Sequence, residues 1–312
     1  MDKVDVKILR ELMQAHTVLP ATPGLGSSYR KIARRLGLSH NTVRSRVGKM
    51  YGTGVISGSS VYPNPGLLGL KAGAFAVDVS PALQKAEVVR QLQGIEGFFF
   101  IHNFRGSLVG IGFAYEEGAG PDRKVAHFKD VAGAEEGIFT QIRHPPCSAA
   151  LTQPELSLVR RLSTGSFSTY SALAEELGCS VRTLKRRISK LVEEAAIFSL
   201  PTLDFRAITG GVPAELMVLP NERVAKSTLD GKLLEVLGDS AFYVGAWDKL
   251  EVYFLVLPRV SALTDLLERV RGTEGVLIAR GEIVEEYVDR VRALGRYPIR
   301  MPTQSKVALA RF

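Results

Sequence analysis

The chain contains two copies of one sequence pattern, at residues 29–50 and 170–191, which align without a gap. In each copy, apolar residues at helical spacing stand on both sides of a glycine and a serine. The matching pairs are Ile32/Leu173, Ala33/Ala174, Gly37/Gly178, Ser39/Ser180 and Val47/Ile188. The glycine permits the positive φ of a tight turn, and the serine caps the helix that follows it. Each copy predicts a helix-turn-helix, and the repeat in register predicts a fold built from two similar units.

Composition limits what these units can be. With 312 residues, 46% of them apolar and 23% charged, the chain is typical of a globular protein of about two domains. A net charge of +8 favours a polyanionic partner, with nucleic acid first. The sequence has no apolar run of about 18 residues for a membrane span, and its charged N-terminus is unlike a signal peptide. Cys147 and Cys179 fit no metal or disulfide spacing, so we expect a cytoplasmic protein without a metal or other cofactor.

The first helix-turn-helix is predicted to contain three helices. Residues 1–15 show helical apolar spacing, and residues 17–27 hold two prolines and two glycines, which is typical of a loop. Ser28 is predicted to cap a second helix, and Ser39 to cap a third helix over residues 40–51. The small side chain of Ala33 lets these two helices approach closely where they cross.

The exposed face of this unit is predicted to bind DNA. Residues 27–52 include seven basic side chains and no acidic one, which suits contact with phosphates. The first turns of the third helix in such motifs face the major groove. The predicted DNA contacts are Arg30, Lys31, Ser39, His40, Asn41, Thr42, Arg44, Ser45, Arg46 and Lys49. The alternative is a basic surface that only keeps the protein in solution.

The second helix-turn-helix keeps the apolar pattern but changes the charges. Residues 168–194 hold five basic and four acidic side chains, so we expect a weaker contact with DNA. The predicted contacts are Ser180, Arg182, Thr183, Lys185, Arg186, Arg187 and Lys190. The alternative is a structural helix-turn-helix that no longer binds DNA.

After each helix-turn-helix, segments appear in which every second residue is apolar, which is typical of strands. Together with the helical segments between them, they predict a β-α-β-β-α-β, or ferredoxin-like, domain. The fold class is therefore α+β, with two tandem units. The predicted elements of the first copy are residues 71–79, 85–92, 97–104, 108–115, 122–131 and 137–143. Those of the second copy are residues 214–219, 224–237, 241–246, 250–257, 262–270 and 276–285.

Five segments follow from this division. We predict helix-turn-helix domains at residues 1–62 and 147–205, α+β domains at residues 63–146 and 206–290, and a basic C-terminal tail at residues 291–312. The tail has no acidic residue, and Pro298 and Pro302 oppose a long helix there. It is either an arm that reaches DNA or a solubilising end.

Each half resembles the Lrp/AsnC, or feast/famine, family of transcription regulators. The resemblance rests on residues 5–9 (DVKIL), 32–47 (IARRLGLSHNTVRSRV), 54–58 (GVISG) and 64–69 (NPGLLG), and it covers nearly all of residues 1–290. The second half departs from it at residues 195–197 (AAI) and at Gly211. The resemblance implies a sequence-specific regulator of double-stranded DNA whose α+β domains pair through their sheets, either within one chain or in a homodimer.

The resemblance also implies a small-molecule effector, often an amino acid, near the turn between the second and third strands. In the second half that turn offers Gly245, Trp247 and Asp248 as effector-binding residues. The first half has a shorter turn at residues 105–107 and lacks the aspartate. We favour for Trp247 the simpler role of an interface or turn aromatic residue.

Two alternatives to a regulator stay open at this point. Siroheme decarboxylases resemble paired Lrp-like halves and place histidine and arginine on this hairpin to hold tetrapyrrole carboxylates. His102 and Arg105 stand there in the first half, where a histidine could act as a general acid, but the second half has no such pair. A lone strand histidine is more often structural, so the sequence predicts a protein that is not an enzyme. The other alternative is a ligand-sensing module without a DNA target.

Overall fold

A computed structural model describes residues 1–14, 28–147, 151–165, 167–221 and 223–299. The predicted loop at residues 17–27 and residues 300–312 of the predicted tail lie outside this range. Among the described helices, none is both long and apolar enough to span a bilayer.

The order of elements repeats along the chain, as the sequence predicts. The first unit contains α1 (Lys3–Gln14), α2 (Ser28–Leu36), α3 (His40–Gly52), β1 (Ile56–Pro63), β2 (Leu70–Asp78), α4 (Lys85–Gln93), β3 (Phe98–Phe104), β4 (Leu108–Glu116), α5 (Asp122–Ala132) and β5 (Ile138–Ile142). The second contains α6 (Gln153–Thr164), α7 (Tyr170–Glu176), α8 (Val181–Glu193), β6 (Ile197–Leu203), β7 (Val212–Pro220), α9 (Lys226–Leu237), β8 (Ala241–Ala246), β9 (Glu251–Leu257), α10 (Ser261–Arg271) and β10 (Val276–Asp289). Short 3-10 helices lie between some of these elements.

The turn of each helix-turn-helix has the chemistry that the sequence predicts. Gly37 and Gly178 have φ angles of 65° and 60°, a backbone conformation that residues with a Cβ rarely adopt. Ser39 then accepts a hydrogen bond from the backbone N–H of Thr42 at 3.0 Å, and Ser180 accepts one from Thr183 at 3.1 Å. One detail differs from the prediction, because Ser28 is the first residue of α2 and not the cap before it.

The two α+β halves join into one eight-stranded sheet with the strand order β5-β2-β4-β3-β10-β7-β9-β8. The junction is the antiparallel pairing of β3 with β10. The opposite ends of the sheet also meet, because Ile142 in β5 forms a bridge with Trp247 and the N–H of Asp248 donates to the carbonyl of Gln141 at 2.8 Å. Of the two arrangements left open by the sequence, the structure therefore has sheet pairing within one chain.

A second sheet of two strands connects the helix-turn-helix units. Strand β1 pairs antiparallel with β6. Neither strand was predicted, because β1 reads ISGSSVYP, which is rich in residues typical of turns. Its hydrogen-bonding partner lies in the other half of the chain, so no local pattern marks the pairing.

The hydrophobic cores cross the predicted domain boundaries. One cluster joins α1, α2 and α3 to Phe242, Val252 and Phe254 on the sheet of the second half. Another joins the second helix-turn-helix to Val61 and Leu67 of the first half. Each helix-turn-helix thus packs against the opposite half, which buries its apolar face.

The beginning of the predicted tail belongs to the fold, which corrects the sequence-based prediction. Residues Val291–Arg296 form a 3-10 helix. Val291 and Leu294 are 7% and 2% exposed and pack in a cluster with Leu68 and Phe99. Apolar burial of these two side chains explains why the segment is ordered despite its charge.

Candidate functional site

The first helix-turn-helix presents an exposed basic surface. The exposed members of the predicted DNA-binding set are Arg30, Lys31, Ser39, Asn41, Arg44, Ser45 and Lys49, while His40, Thr42 and Arg46 are half-buried. Their apolar neighbours Val43, Val47 and Met50 are turned into the core, 0%, 0% and 3% exposed. The 3.6-residue period of α3 therefore separates a packed face from a basic face.

Arg46 is engaged within the protein, which the sequence did not predict. Its guanidinium contacts Asp5 Oδ1 at 3.1 Å and also pairs with Asp2. Asp5 is only 3% exposed, so its carboxylate needs a partner inside the fold. The hydrogen bond from Arg46 also lowers the pKa of Asp2. Arg46 thus fastens α3 to α1, and Arg44 is the better-placed arginine for an external partner.

Two further predicted contacts have structural roles. The hydroxyl of Ser39 caps α3 and lies 2.8 Å from the hydroxyl of Thr42. Ser180 caps α8 in the same way, with the hydroxyl of Thr183 at 3.0 Å. The serine hydroxyls accept hydrogen bonds from backbone N–H groups in the first turn of each helix, which have no partner within the helix.

The second helix-turn-helix has a comparable layout. Ser180, Arg182, Lys185 and Arg186 are exposed, and Thr183, Arg187 and Lys190 are half-buried. Lys190 Nζ lies 2.8 Å from Glu155 Oε1 on α6. Burial acts to raise the pKa of Glu155, but hydrogen bonds from Lys190 and Thr152 outweigh it and lower the pKa to about 2.

Charge differs between the two surfaces. On the second unit, Lys185 Nζ lies 5.1 Å from the centre of the Tyr170 ring, which holds this cation beside the helix-turn-helix. Glu175, Glu176 and Glu193 are exposed on the same unit, whereas α2 and α3 carry no acidic residue. The first unit is therefore the stronger electrostatic match for a polyanion.

A cavity of about 100 Å³ lies between the two α+β halves, the strands β1 and β6, and α1. We call it the aromatic cavity after the residues that dominate its walls. These include Phe99, Phe100, Tyr243, Trp247, Phe254 and Tyr287. Met13 of α1 also lines it, so the cavity borders the first helix-turn-helix.

His102 lies in the wall of the aromatic cavity and pairs with a buried glutamate. Its Nδ1 is 2.6 Å from Glu215 Oε2, and both side chains are 3% exposed. The imidazole stacks on Phe100 with ring centres 4.5 Å apart. Glu215 Oε2 makes no hydrogen bond of good geometry within the described part of the chain. A carboxylate at Nδ1 favours the tautomer that leaves Nε2 available for proton exchange.

Glu215 is the functional candidate that sequence reasoning missed. It lies on β7 in the second half, whereas His102 lies on β3 in the first, and the two side chains meet in the interior, where both line a small cavity with Trp247. The available signal was a charged residue in the apolar run Ala214–Leu219 (AELMVL). Arg105, by contrast, is exposed at the turn after β3 and does not line the aromatic cavity.

The predicted effector turn forms part of the contact between the sheet edges. Asp248 is ion-paired with Arg143, and Lys226 Nζ donates to the carbonyl of Trp247 at 2.8 Å. A Cβ on Gly245 would stand 2.7 Å from Trp247 Cδ1, so only glycine leaves room for the indole ring. Trp247 also lines the aromatic cavity.

Other polar groups near the aromatic cavity have pKa values shifted by burial. Burial lowers the pKa of His144 to about 4, so its ring is neutral at pH 7. His144 packs between Tyr62 and Phe198, with ring centres 6.1 Å and 5.1 Å away. Burial raises the pKa of Asp289, whose carboxylate accepts hydrogen bonds from Ser60 and from the N–H of Val291.

Comparison with known proteins identifies the first unit. Residues 1–50 match the AsnC-type helix-turn-helix domain, and residues 159–188, within the second unit, match the NUMOD1 domain. The HTH-type transcriptional regulator LysM of Sulfurisphaera tokodaii is 24% identical over 138 residues, 44% of this chain and 96% of that protein. The regulator Ptr1 of Methanocaldococcus jannaschii is 36% identical over 74 residues, 24% of this chain and 44% of that protein.

These matches assign the first 50 residues to the AsnC type of helix-turn-helix domain. The matches agree with the resemblance to the Lrp/AsnC family that the sequence indicated.

The whole-chain architecture has a different counterpart. The crystal structure of the siroheme decarboxylase NirDL covers 95% of this chain and 97% of that chain, with a TM-score of 0.54 and 12% identity. Its complex with an iron-uroporphyrin III analogue covers the same shares with a TM-score of 0.51. The prediction that the chain is not an enzyme is contradicted, because the fold it shares from end to end is that of an enzyme. At 12% identity the likeness establishes the fold and leaves the reaction to experiment.

Proposed function

We propose that the chain is a transcription regulator that binds double-stranded DNA through its first helix-turn-helix unit. In this proposal α3 lies in the major groove, with Asn41, Arg44 and Ser45 towards the bases. Arg30, Lys31 and Lys49 contact the flanking phosphates. The observation that carries the proposal is the exposed, acid-free basic surface of a domain that matches the AsnC type.

The second helix-turn-helix has a secondary part in this proposal. Arg182, Lys185 and Arg186 would add phosphate contacts, while the exposed glutamates of that unit reduce the affinity. The homodimer predicted from the sequence stays a prediction, and so does the amino-acid effector at Gly245, Trp247 and Asp248. Because the two halves already pair within one chain, a homodimer would have to use other surfaces.

The proposal is tested by measuring DNA binding as a function of salt. Fluorescence anisotropy with duplex genomic fragments should give a dissociation constant that rises steeply between 50 and 200 mM salt, since about one counterion is released per phosphate neutralised. Arg44→Glu should weaken binding at least about tenfold and reduce the salt slope by about one.

The matched control for this test is Arg123→Glu, an equal charge reversal at an exposed position on α5. It should leave the dissociation constant within about twofold at 150 mM salt, where charges more than about 8 Å from the DNA are screened. Absent binding, binding that ignores salt, or equal losses from the two variants would each contradict the proposal.

A second candidate function is favoured by the buried His102–Glu215 pair and is enzymatic. As the likeness to NirDL suggests, the reaction would be a decarboxylation of a tetrapyrrole such as siroheme. A carbon–carboxylate bond breaks, carbon dioxide leaves, and the carbon takes up a proton from Nε2 of His102 in its doubly protonated form, which becomes neutral. Glu215, beside Nδ1, would orient the ring and stabilise its positive charge.

The enzymatic function is the second candidate because the aromatic cavity is small. Ligand pockets commonly enclose about 300–1,000 Å³, and the aromatic cavity encloses about 100 Å³. A tetrapyrrole does not fit it in this state, so the candidate requires the surrounding walls to separate. Siroheme should release carbon dioxide when it is incubated with the native chain and not when it is incubated with His102→Gln. A flat absorbance titration with no carbon dioxide release would exclude it.

A further inference from the structure

An open cleft of about 790 Å³ lies beside the C-terminal 3-10 helix. Three segments line it: residues 93–98 between α4 and β3, residues 289–298 after β10, and Thr164 at the end of α6. We call it the arginine cleft, because Arg290, Arg292 and Arg296 all line it. Its volume suits a compound of metabolite size.

Two of these arginines are held in place by the fold. Arg290 Nη1 donates to the carbonyl of Gln93 at 3.0 Å, and its guanidinium lies 5.0 Å from the centre of the Phe98 ring. Arg292 Nη2 donates to the carbonyl of Ser59 at 2.8 Å. A guanidinium has five N–H donors, so the contacts of Arg290 fix its side chain and leave donors for a ligand. Arg296 is exposed at the rim.

Tyr297, which lines the arginine cleft, and Lys124, beside it, add two more donors. A Cβ on Gly97 would lie 2.6 Å from Lys124 Nζ and 2.8 Å from the Tyr297 hydroxyl, so both groups converge on this glycine. Lys124 Nζ donates to the carbonyl of Glu96 at 3.1 Å. Two acidic residues, Glu96 and Asp289, also line the arginine cleft. Glu96 is exposed, and the carboxylate of Asp289 already accepts hydrogen bonds from Ser60 and Val291.

We propose that the arginine cleft binds a small polyanion, a compound carrying two or more phosphate or carboxylate groups. Guanidinium groups recognise both kinds of anion through paired hydrogen bonds, and a fixed arginine loses little side-chain entropy on binding. The site is separate from the basic surface of α2 and α3. Because it joins the first α+β domain to α6, a bound polyanion holds the second helix-turn-helix against the first half.

The test uses the full chain and two defined probes, tripolyphosphate and citrate, in isothermal titration calorimetry at constant ionic strength. We expect saturable 1:1 binding of at least one probe, and the tighter probe identifies the phosphate or the carboxylate source. Arg296→Ala should weaken that binding at least about tenfold, because a charge-assisted pair is lost. Arg296→Lys, which keeps the charge, should lose less.

Two controls distinguish binding in the arginine cleft from general attraction of anions to a basic protein. Arg123→Ala removes an exposed arginine on α5 and should leave the affinity for the probe unchanged. The affinity of Arg296→Ala for duplex DNA should also match that of the native chain, which keeps this test independent of DNA binding. The proposal is overturned if neither probe saturates, if Arg123→Ala and Arg296→Ala weaken binding equally, or if Arg296→Ala weakens DNA binding as much as probe binding.

Discussion

Each helix-turn-helix unit ties its third helix to its first through one buried acidic residue. In the first unit Asp5 pairs with Arg46, and in the second Glu155 pairs with Lys190. The basic partner stands at non-equivalent positions of α3 and α8, three residues apart in the repeat. A basic residue on a recognition helix is therefore not by itself a DNA contact.

This arrangement predicts different stabilities for neighbouring arginine variants. Arg46→Ala leaves the carboxylate of Asp5 buried without its cationic partner, so the free energy of unfolding should fall by about 1–3 kcal/mol. Arg44 is exposed, and Arg44→Ala should change it by less than about 0.5 kcal/mol. Urea denaturation of both variants measures the difference, and equal effects would contradict the assigned roles.

At the scale of elements, the β1–β6 ladder connects parts of the chain that are distant in sequence. His144, in the segment after β5, packs on this ladder through Tyr62 and Phe198. Asn64, just after β1, donates to the carbonyls of Pro145 and Ala195 at 2.9 Å and 2.8 Å. The ladder thus anchors the connection between the two units.

The buried His144 predicts a loss of stability in mild acid. Its pKa is about 4 in the folded chain and about 6.5 when unfolded, so the unfolded state binds more protons between these values. The contribution of the neutral His144 ring to the free energy of unfolding is complete above pH 6.5 and is lost as the pH falls towards 4. Between pH 7 and pH 5, the native chain should lose about 1–2 kcal/mol of unfolding free energy relative to His144→Gln.

The His144→Gln variant is the internal reference for this prediction, because glutamine does not titrate. Glu251, whose pKa is raised to about 7 mainly by burial, is present in both proteins and its contribution cancels in the difference. A difference that is constant with pH would show that His144 does not titrate as the structure indicates.

Elements whose pattern is local could be predicted from the sequence, and those stabilised by distant partners could not. The strands β2, β4 and β9 and the capped helices α3 and α8 follow from apolar period, glycine and serine alone. β1 and β6 were missed because their hydrogen bonds come from the other half. The pairing of His102 with Glu215 was missed for the same reason, since three strands from both halves have to meet first.

At the scale of the whole molecule, the two halves share one sheet and two hydrophobic clusters. One eight-stranded sheet crosses both halves, and each helix-turn-helix shares a core with the opposite half. The arrangement explains why the NirDL architecture matches 95% of the chain, while the sequence relatives match at most 44% of it.

Shared cores predict a single unfolding transition. Trp247 is the only tryptophan and lies at the contact between the sheet edges, so its fluorescence reports on the junction of the halves. Far-ultraviolet circular dichroism reports on helices and strands throughout. The two probes should give coincident urea transitions, as two-state unfolding requires. Separate midpoints would show that the halves unfold independently.

DNA recognition by the first helix-turn-helix can be tested across the genome. The experiment maps the DNA that is bound by the native chain, by Arg44→Glu and by Arg186→Glu. We predict discrete sites for the native chain, loss of those sites in Arg44→Glu, and the same sites with reduced occupancy in Arg186→Glu. No enriched sites for the native chain, or an unchanged map for Arg44→Glu, would contradict the claim.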